Sequence, residues 1–434
     1  MASILKVDKL DPQSGTALEI GTSGDTATIP SGATLAVAGT LNPSGTITAG
    51  TIAGTALADA AVTPDKSLGL SNINAEPFFI NANMQVAERG TTSSNVSATA
   101  FEELYPADRY TFQTGKIGLF TAIQEALTSG AAFDAGLKMA ARIDCTTADA
   151  SPAAADYFWF QYQAEAQDCL GWKKGTTSAT VMTLSFWVKS NKTGTAQVNL
   201  FDLDNDRLVS ALYTISSGDT WEQKVVTFPM ETSNPLNNDN GTGFRFEWWL
   251  GAGSDYNSGT APTAWEARTD ADRGANSLDI NDNTANDWAI AGIQAEVGTF
   301  TSTTLPPFQF EGYGDNLLRC QRYYYFHASE ATNGGTDTTL CVTSNYNTTQ
   351  TKGNIPFPVS MRTKPSIDQL TGTNMYRLYS NNANATMDSL ALATEGTYNY
   401  AAVYNGTSIT VTAGTAGNLQ TMDGTAFLAF TADL

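Results

Sequence analysis

"DYFWFQYQ", residues Asp156 to Gln163, alternates its side chains with a period of two. That period marks a half-buried strand, because successive side chains leave a strand on opposite faces. Phe158, Phe160 and Tyr162 then face one way, and Tyr157, Trp159, Gln161 and Gln163 the other. "TLSFWVKS", Thr183 to Ser190, repeats the device, with Leu184, Phe186 and Val188 inward and Ser185, Trp187 and Lys189 outward. "GFRFEWWL", Gly243 to Leu250, sets Phe244, Phe246, Trp248 and Leu250 against Arg245, Glu247 and Trp249. The polar stretches "SNKTGT", "SSGDT" and "NNDNGTG" serve as turns between such strands, and the pattern predicts a β-sandwich of jelly-roll kind. "GLFTAIQEALTSG", Gly118 to Gly130, has a weak helical period and ranks below strand.

Composition widens this reading to the whole chain. Its 434 residues exceed the ~100–200 of a typical domain, so more than one folding unit is expected. Hydrophobic residues make up 41%, enough for packed cores, while 37 glycines and abundant Thr, Ser and Asn favour short strands and turns, so the class is all-β. The net charge of −20 repels phosphate backbones and anionic membranes, so no nucleic-acid partner and no membrane insertion are expected. The opening "MASILKVDKLDPQSG" has no signal-peptide pattern, and no apolar run reaches the ~18 residues of a span. Cys145, Cys169, Cys320 and Cys341 are too few and scattered for a disulfide framework, and with one histidine, His327, zinc chemistry is nearly excluded.

The chain divides into three segments: 1–77, 78–317 and 318–434. Before Phe78 there is no aromatic residue. Ile29, Leu35, Leu41, Ile47, Ile52 and Leu57 recur with Gly24, Gly32, Gly39, Gly45, Gly50 and Gly54, a repeat about six residues long. A unit so short leaves one face open, and three chains around one axis would close it. Residues 24–60 therefore read as a slender homotrimeric Gly/Thr-rich β shaft. Residues 78–317 carry the jelly roll. From about Leu318, "GNIPFPVSMRTKPSI", "YNYAAVYNGTSITVTAG" and "GTAFLAFTADL" predict a smaller C-terminal β-sandwich.

Candidate binding residues sit on the outward parity of the three strands: Trp159, Gln161, Trp187, Lys189, Arg245, Glu247 and Trp249. Flat rings that stack on a pyranose, beside amides and charges that bond its hydroxyls, are what sugar recognition requires. These residues are expected to share one saccharide-binding face. "DLDNDRLVS" spaces Asp202, Asp204 and Asp206 as calcium ligands can be spaced, but lacks the later glutamate and the glycine of an EF-hand; it reads as an acidic turn without metal. Asp270 to Asp287 reads as a solvated acidic loop. No nucleophile elbow, phosphate loop or dinucleotide motif occurs in a credible context, so no enzyme and no cofactor is expected.

Several phrases in order carry a resemblance. "FFINANMQVAERGTT", "DRYTF", "TLSFWVKSNKTGT", "DTWEQKVVTF" and "WAIAGIQAEVGT" followed by "PFQFEGYGDNLLRCQRYYYF" resemble the receptor-facing part of bacteriophage tail fibre proteins. In that family a carbohydrate-binding-like jelly roll ends in a Gly-x-Gln-x-Glu-x-Gly strand, and a Cys-Gln-Arg-Tyr-Tyr corner leads to the terminal domain. The chain has Tyr110 where the family often has Trp after Asp-Arg. The opening "ILKVDKLDPQSGTALEIGTSGDTATIPSGATL" is similar to N-terminal segments of marine-phage virion proteins. The resemblance implies a virion tail fibre, assembled in the host cytoplasm, anchored to other tail proteins by its N-terminal segment and attaching to a host surface polysaccharide or outer-membrane receptor. An adaptor that docks another virion protein, and a glycan-depolymerising tailspike, are the alternatives. Cys320 to Tyr325, with His327, are then expected to form a joint between sandwich and tip.

Overall fold

A computed structural model of the chain describes residues 76–329 and 337–434, all within one of its two units, Thr63–Leu434. The Gly-Thr repeat, with the anchor, shaft and trimer axis expected from it, lies outside the described residues.

The architecture is all-β. A six-stranded sheet runs in the order Thr92–Ser94, Leu119–Ala126, Met139–Thr147, Asp287–Val297, Met182–Ser190, Glu222–Phe228. A seven-stranded sheet faces it, in the order Glu266–Ala267, Arg207–Ile215, Gly194–Asp202, Thr242–Ala252, Tyr157–Glu165, Tyr110–Gly115, Phe101–Ala107. Neighbours pair antiparallel, and alongside consecutive hairpins several of the strands that meet are distant in sequence, as a jelly roll requires. Leu119–Ala126 is a strand, as ranked, and only Ala131–Asp134 after it turns helical.

Alternation in the sequence becomes the core. Phe158, Phe160, Tyr162, Leu184, Phe186, Val188, Phe244, Phe246, Trp248 and Leu250 all join one buried cluster between the sheets. Phe120 stacks on Phe158 with centroids 4.1 Å apart, and Trp288 tilts against Phe160 at 5.5 Å. Each such ring contributes roughly 1.5–3 kcal/mol by leaving water.

The Cys-Gln-Arg corner is the end of a helix, Tyr313–Gln321, that period-two reading missed. The division expected at 317/318 falls inside it. Asn316 on this helix accepts the Asn81 amide at 2.9 Å, and Asn81 donates in turn to the carbonyls of Val86 and Asp108, each at 2.9 Å. Arg322 forks onto Glu165 at 2.7 and 2.8 Å, Tyr323 donates its hydroxyl to the same carboxylate at 2.7 Å, and the Arg109 guanidinium lies 3.4 Å from the Tyr323 ring centroid. Burial would raise the Glu165 carboxyl, but the Arg322 and Tyr323 hydrogen bonds carry it below its usual value. The corner residues thus clamp the jelly roll to the C-terminal strands.

Beyond the clamp, three strands, Tyr324–Ser329, Phe427–Thr431 and Ser366–Gln369, oppose a seven-stranded sheet of Ala383–Met387, Tyr376–Ser380, Ala416–Thr421, Thr339–Asn345, Thr351–Pro356, Tyr400–Asn405 and Leu390–Leu392. Tyr376, Leu378, Ile355, Leu419, Leu428 and Phe430 form their own core. His327 sits in the first of these strands, bonded through Nε2 to the Leu340 carbonyl at 2.8 Å and through Nδ1 to the Tyr325 hydroxyl at 3.0 Å. The four cysteines carry free thiols.

Candidate functional site

The seven expected sugar-binding residues do not share one face. Trp159, Gln161, Arg245, Glu247 and Trp249 lie together on the outer face of the seven-stranded sheet, while Trp187 and Lys189 lie on the outside of the six-stranded sheet. Parity fixes the face of a strand relative to its own neighbours; it does not say which sheet the strand joins. Trp187 packs with Leu137, Ala140, Trp221 and Phe133 in a small satellite cluster, and Lys189 pairs with Glu125 at 3.6 Å.

On the outer face, cross-strand register lines up the side chains. Glu103, Gln113, Trp159 and Trp249 form one row across four strands, and Thr111, Gln161, Glu247 and Asn199 form the next. Trp159 Nε1 donates to Gln161 at 2.9 Å and Trp249 Nε1 to Glu247 at 3.0 Å, so both indoles are satisfied within the sheet.

Half of this face is roofed. The segment after Thr242–Ala252 folds back over it, and Arg273, on the short helix Asp270–Arg273, inserts its guanidinium 5.0 Å from the Trp159 ring and 5.2 Å from the Trp249 ring. Arg273 bonds Glu247 at 2.9 Å, and Arg245 bonds the same carboxylate at 2.7 Å. Burial alone would raise the Glu247 carboxyl, but Arg273 and Arg245 hold it down to about 2. Asn199 donates to the Arg273 carbonyl at 2.8 Å and Gln197 to the Asp272 carbonyl at 2.9 Å, tying the roof down. Gly274 rests on the indole: a Cβ there would lie 2.6 Å from Trp249 Cε3. The acidic loop expected to be solvated therefore supplies a buried arginine, and Trp249 is 0% and Trp159 7% exposed.

The other half is open. Tyr157 stacks on Trp159 with centroids 4.3 Å apart at 26°, and on Phe101 at 5.6 Å and 26°. Phe101 is 61% exposed, with the Lys116 ammonium 5.0 Å from its ring centroid. Between Phe101 and Tyr157 the intervening strand carries Gly115, and a Cβ there would sit 2.6 Å from the Tyr157 ring. The missing side chain lets two rings meet across a strand. Tyr256 closes the roof end, edge-on to Tyr157 at 5.6 Å. Gln113 and Glu103, hydrogen-bonded at 2.9 Å, line the ledge in the row next to Phe101 and Tyr157. Phe101, Tyr157, Gly115 and Tyr256 escaped sequence reading as site residues; the parity of Tyr157 with Trp159 was the available signal.

The acidic turn holds a cation of the chain's own. The Lys174 ammonium, fully buried, lies 2.5 Å from Asp202, 2.8 Å from Glu231 and 2.7 Å from the Asn234 carbonyl. Asp204 accepts instead from Asn237, and Asp206 pairs with Arg268 at 3.1 Å, so the three aspartates do not converge on one point.

No family model matches the chain, and no curated protein does. Among solved structures it is similar to the enzymatically active domain of tailspike protein 4 of bacteriophage CBA120, at 12% identity and a TM-score of 0.25, over 51% of this chain and 21% of that one. It is also similar to the N-terminal cellulose-binding domain of Cellulomonas fimi β-1,4-glucanase C, at 9% identity and a TM-score of 0.22, over 52% of this chain and 100% of that one. The family 11 carbohydrate-binding module of a Clostridium thermocellum cellulase matches at 9% and 0.23, over 48% and 98%. The match thus spans about a fifth of that tailspike domain's length. Likenesses of this degree do not fix an activity.

Proposed function

We propose that the chain is a structural tail fibre protein of a tailed bacteriophage, homotrimeric, that attaches the particle to a glycan on the host surface. Residues 1–77 anchor and project it from the virion tail, and the sandwiches of 78–317 and 318–434 form its head. The observation that carries the reading is the ledge on which exposed Phe101 stacks on Tyr157, with buried Trp159 behind them, set on strands and flanked by Gln113 and Glu103. The exposed Phe101 ring, backed by Tyr157, offers apolar area to a sugar face, and the amide and carboxylate beside it bond hydroxyls. Strands hold the rings at fixed spacing, so little ordering cost falls on binding.

The test is migration of the purified full-length chain through native gels cast with soluble bacterial polysaccharides. Retardation by at least one polysaccharide, abolished in Tyr157→Ala with the fold intact, supports the reading; equal retardation of wild type and variant overturns it.

A second reading has its own support. Tyr379, Asn418 and Val342 lie side by side on the outer face of the C-terminal seven-stranded sheet, with Val342 68% exposed, a surface suited to docking another virion protein. Loss of a binding partner in Val342→Asp, with polysaccharide retardation unchanged, would favour that adaptor role.

A further inference from the structure

The strand Asp287–Val297 belongs to the six-stranded sheet, away from the ring ledge, and ends in the Gly292, Gln294, Glu296, Gly298 spacing. Gln294 Nε2 donates to Glu296 Oε1 at 2.8 Å and to the Pro306 carbonyl at 3.0 Å. This fixes the Glu296 carboxylate and leaves its other oxygen without a partner among the described residues. Both side chains line a cleft of about 680 Å³ at the end of the sandwich, walled also by Phe78, Trp172, Phe300 and Phe308. Ligand sites commonly occupy ~300–1,000 Å³ and combine apolar walls with a few fixed polar groups.

The polar groups of this cleft are biased toward acceptors. Its arginines are already engaged: Arg322 with Glu165 at 2.7 Å, and Arg319 with Glu311 at 3.0 Å and Glu76 at 2.9 Å. Asp168 on the rim makes no hydrogen bond through its carboxylate among the described residues, and the buried Gln309 Oε1 on the wall is likewise unpartnered. Burial raises the Glu296 carboxyl, as expected of an acceptor held against rings. Carboxylates without free cations repel an anion and welcome a donor-rich neutral molecule.

We infer that this cleft is a second saccharide-binding site, which takes the end of a neutral oligosaccharide between Phe300 and Phe308 and binds its hydroxyls through Glu296 and Asp168. A uronic acid or a phosphorylated sugar is excluded by the same carboxylates. The site stands independently of the ledge, so either can fail alone.

Saturation-transfer NMR on the full-length chain tests it, with the methyl glycosides of glucose, galactose, mannose and N-acetylglucosamine as probes and glucuronate as the anionic control. With the ledge disabled by Tyr157→Ala, at least one neutral glycoside should still bind, and about tenfold or more weakly once Glu296→Gln/Asp168→Asn is added. Should the double variant melt early, the isosteric Glu296→Gln alone carries the comparison. In the Tyr157→Ala background, binding unaffected by Glu296→Gln, glucuronate bound as well as the neutral probes, or no probe bound at all would each overturn the inference.

Discussion

Lys174 shows how a single side chain settles a question that spacing leaves open. Asp202, Asp204 and Asp206 look like a cation site because alternate carboxylates can converge, yet only Asp202 turns inward, and the cation it meets is the Lys174 ammonium, with the Trp265 ring 4.8 Å away. A buried ion pair of this kind adds little over an apolar isostere, but removing one partner strands the other charge. Lys174→Met should therefore destabilise the sandwich by about 3–5 kcal/mol in urea denaturation, with no recovery on adding calcium. Recovery with calcium would mean that the carboxylates prefer a metal. Nothing in the sequence pointed to Lys174, since the partners that surround it come from two distant stretches of chain, at Asp202 and at Glu231 to Asn234.

At the scale of elements, the strands were legible and their assembly was not. Phe158, Phe160 and Tyr162 face the core because period two leaves them no other face, and Trp159 faces out for the same reason. Which strands become neighbours depends on loops that close over long separations, so Trp187 could not be assigned a sheet from its own alternation. The roof over Trp249 was hidden too, because an acidic stretch buries its one arginine only when Glu247 stands ready to neutralise it. The helix Tyr313–Gln321 is only nine residues long, and it packs Leu317 and Cys320 inward with Asn316 at a helical spacing that a search for period two passes over. The joint it builds should respond to pH. Glu88 accepts from Gln321 at 3.0 Å and from the Phe326 amide, and its other oxygen is buried without a partner. Burial, with Asp108 nearby, pushes its pKa up to about 7, against the pull of Gln321 and Arg89; Tyr325 and Cys320 also face it. A carboxyl raised on folding contributes stability below its unfolded value, and that contribution is lost as pH rises through the folded one. Hydrogen exchange at the joint should accelerate between about pH 5 and pH 8 beyond the intrinsic base catalysis, and Glu88→Gln should flatten that excess. A wild-type joint whose excess exchange ignores pH would count against this account.

For the whole molecule, the proposed fibre gains from repetition. Three weak sites on one trimer raise avidity by about 10²–10⁴ over one, with no new contact. Light scattering should give three times the 46.1 kDa chain mass for the full chain, and the single-chain mass once residues 1–77 are removed. A full-length monomer would refute the shared axis read from the Gly-Thr repeat. The central claim, that stacked rings on an open half-sheet hold a glycan, is tested most directly by a glycan array probed with wild type and Tyr157→Ala side by side. The account predicts a defined set of bound glycans for wild type and their loss in the variant, while an unchanged pattern in Tyr157→Ala, or no bound glycan for either, would contradict it.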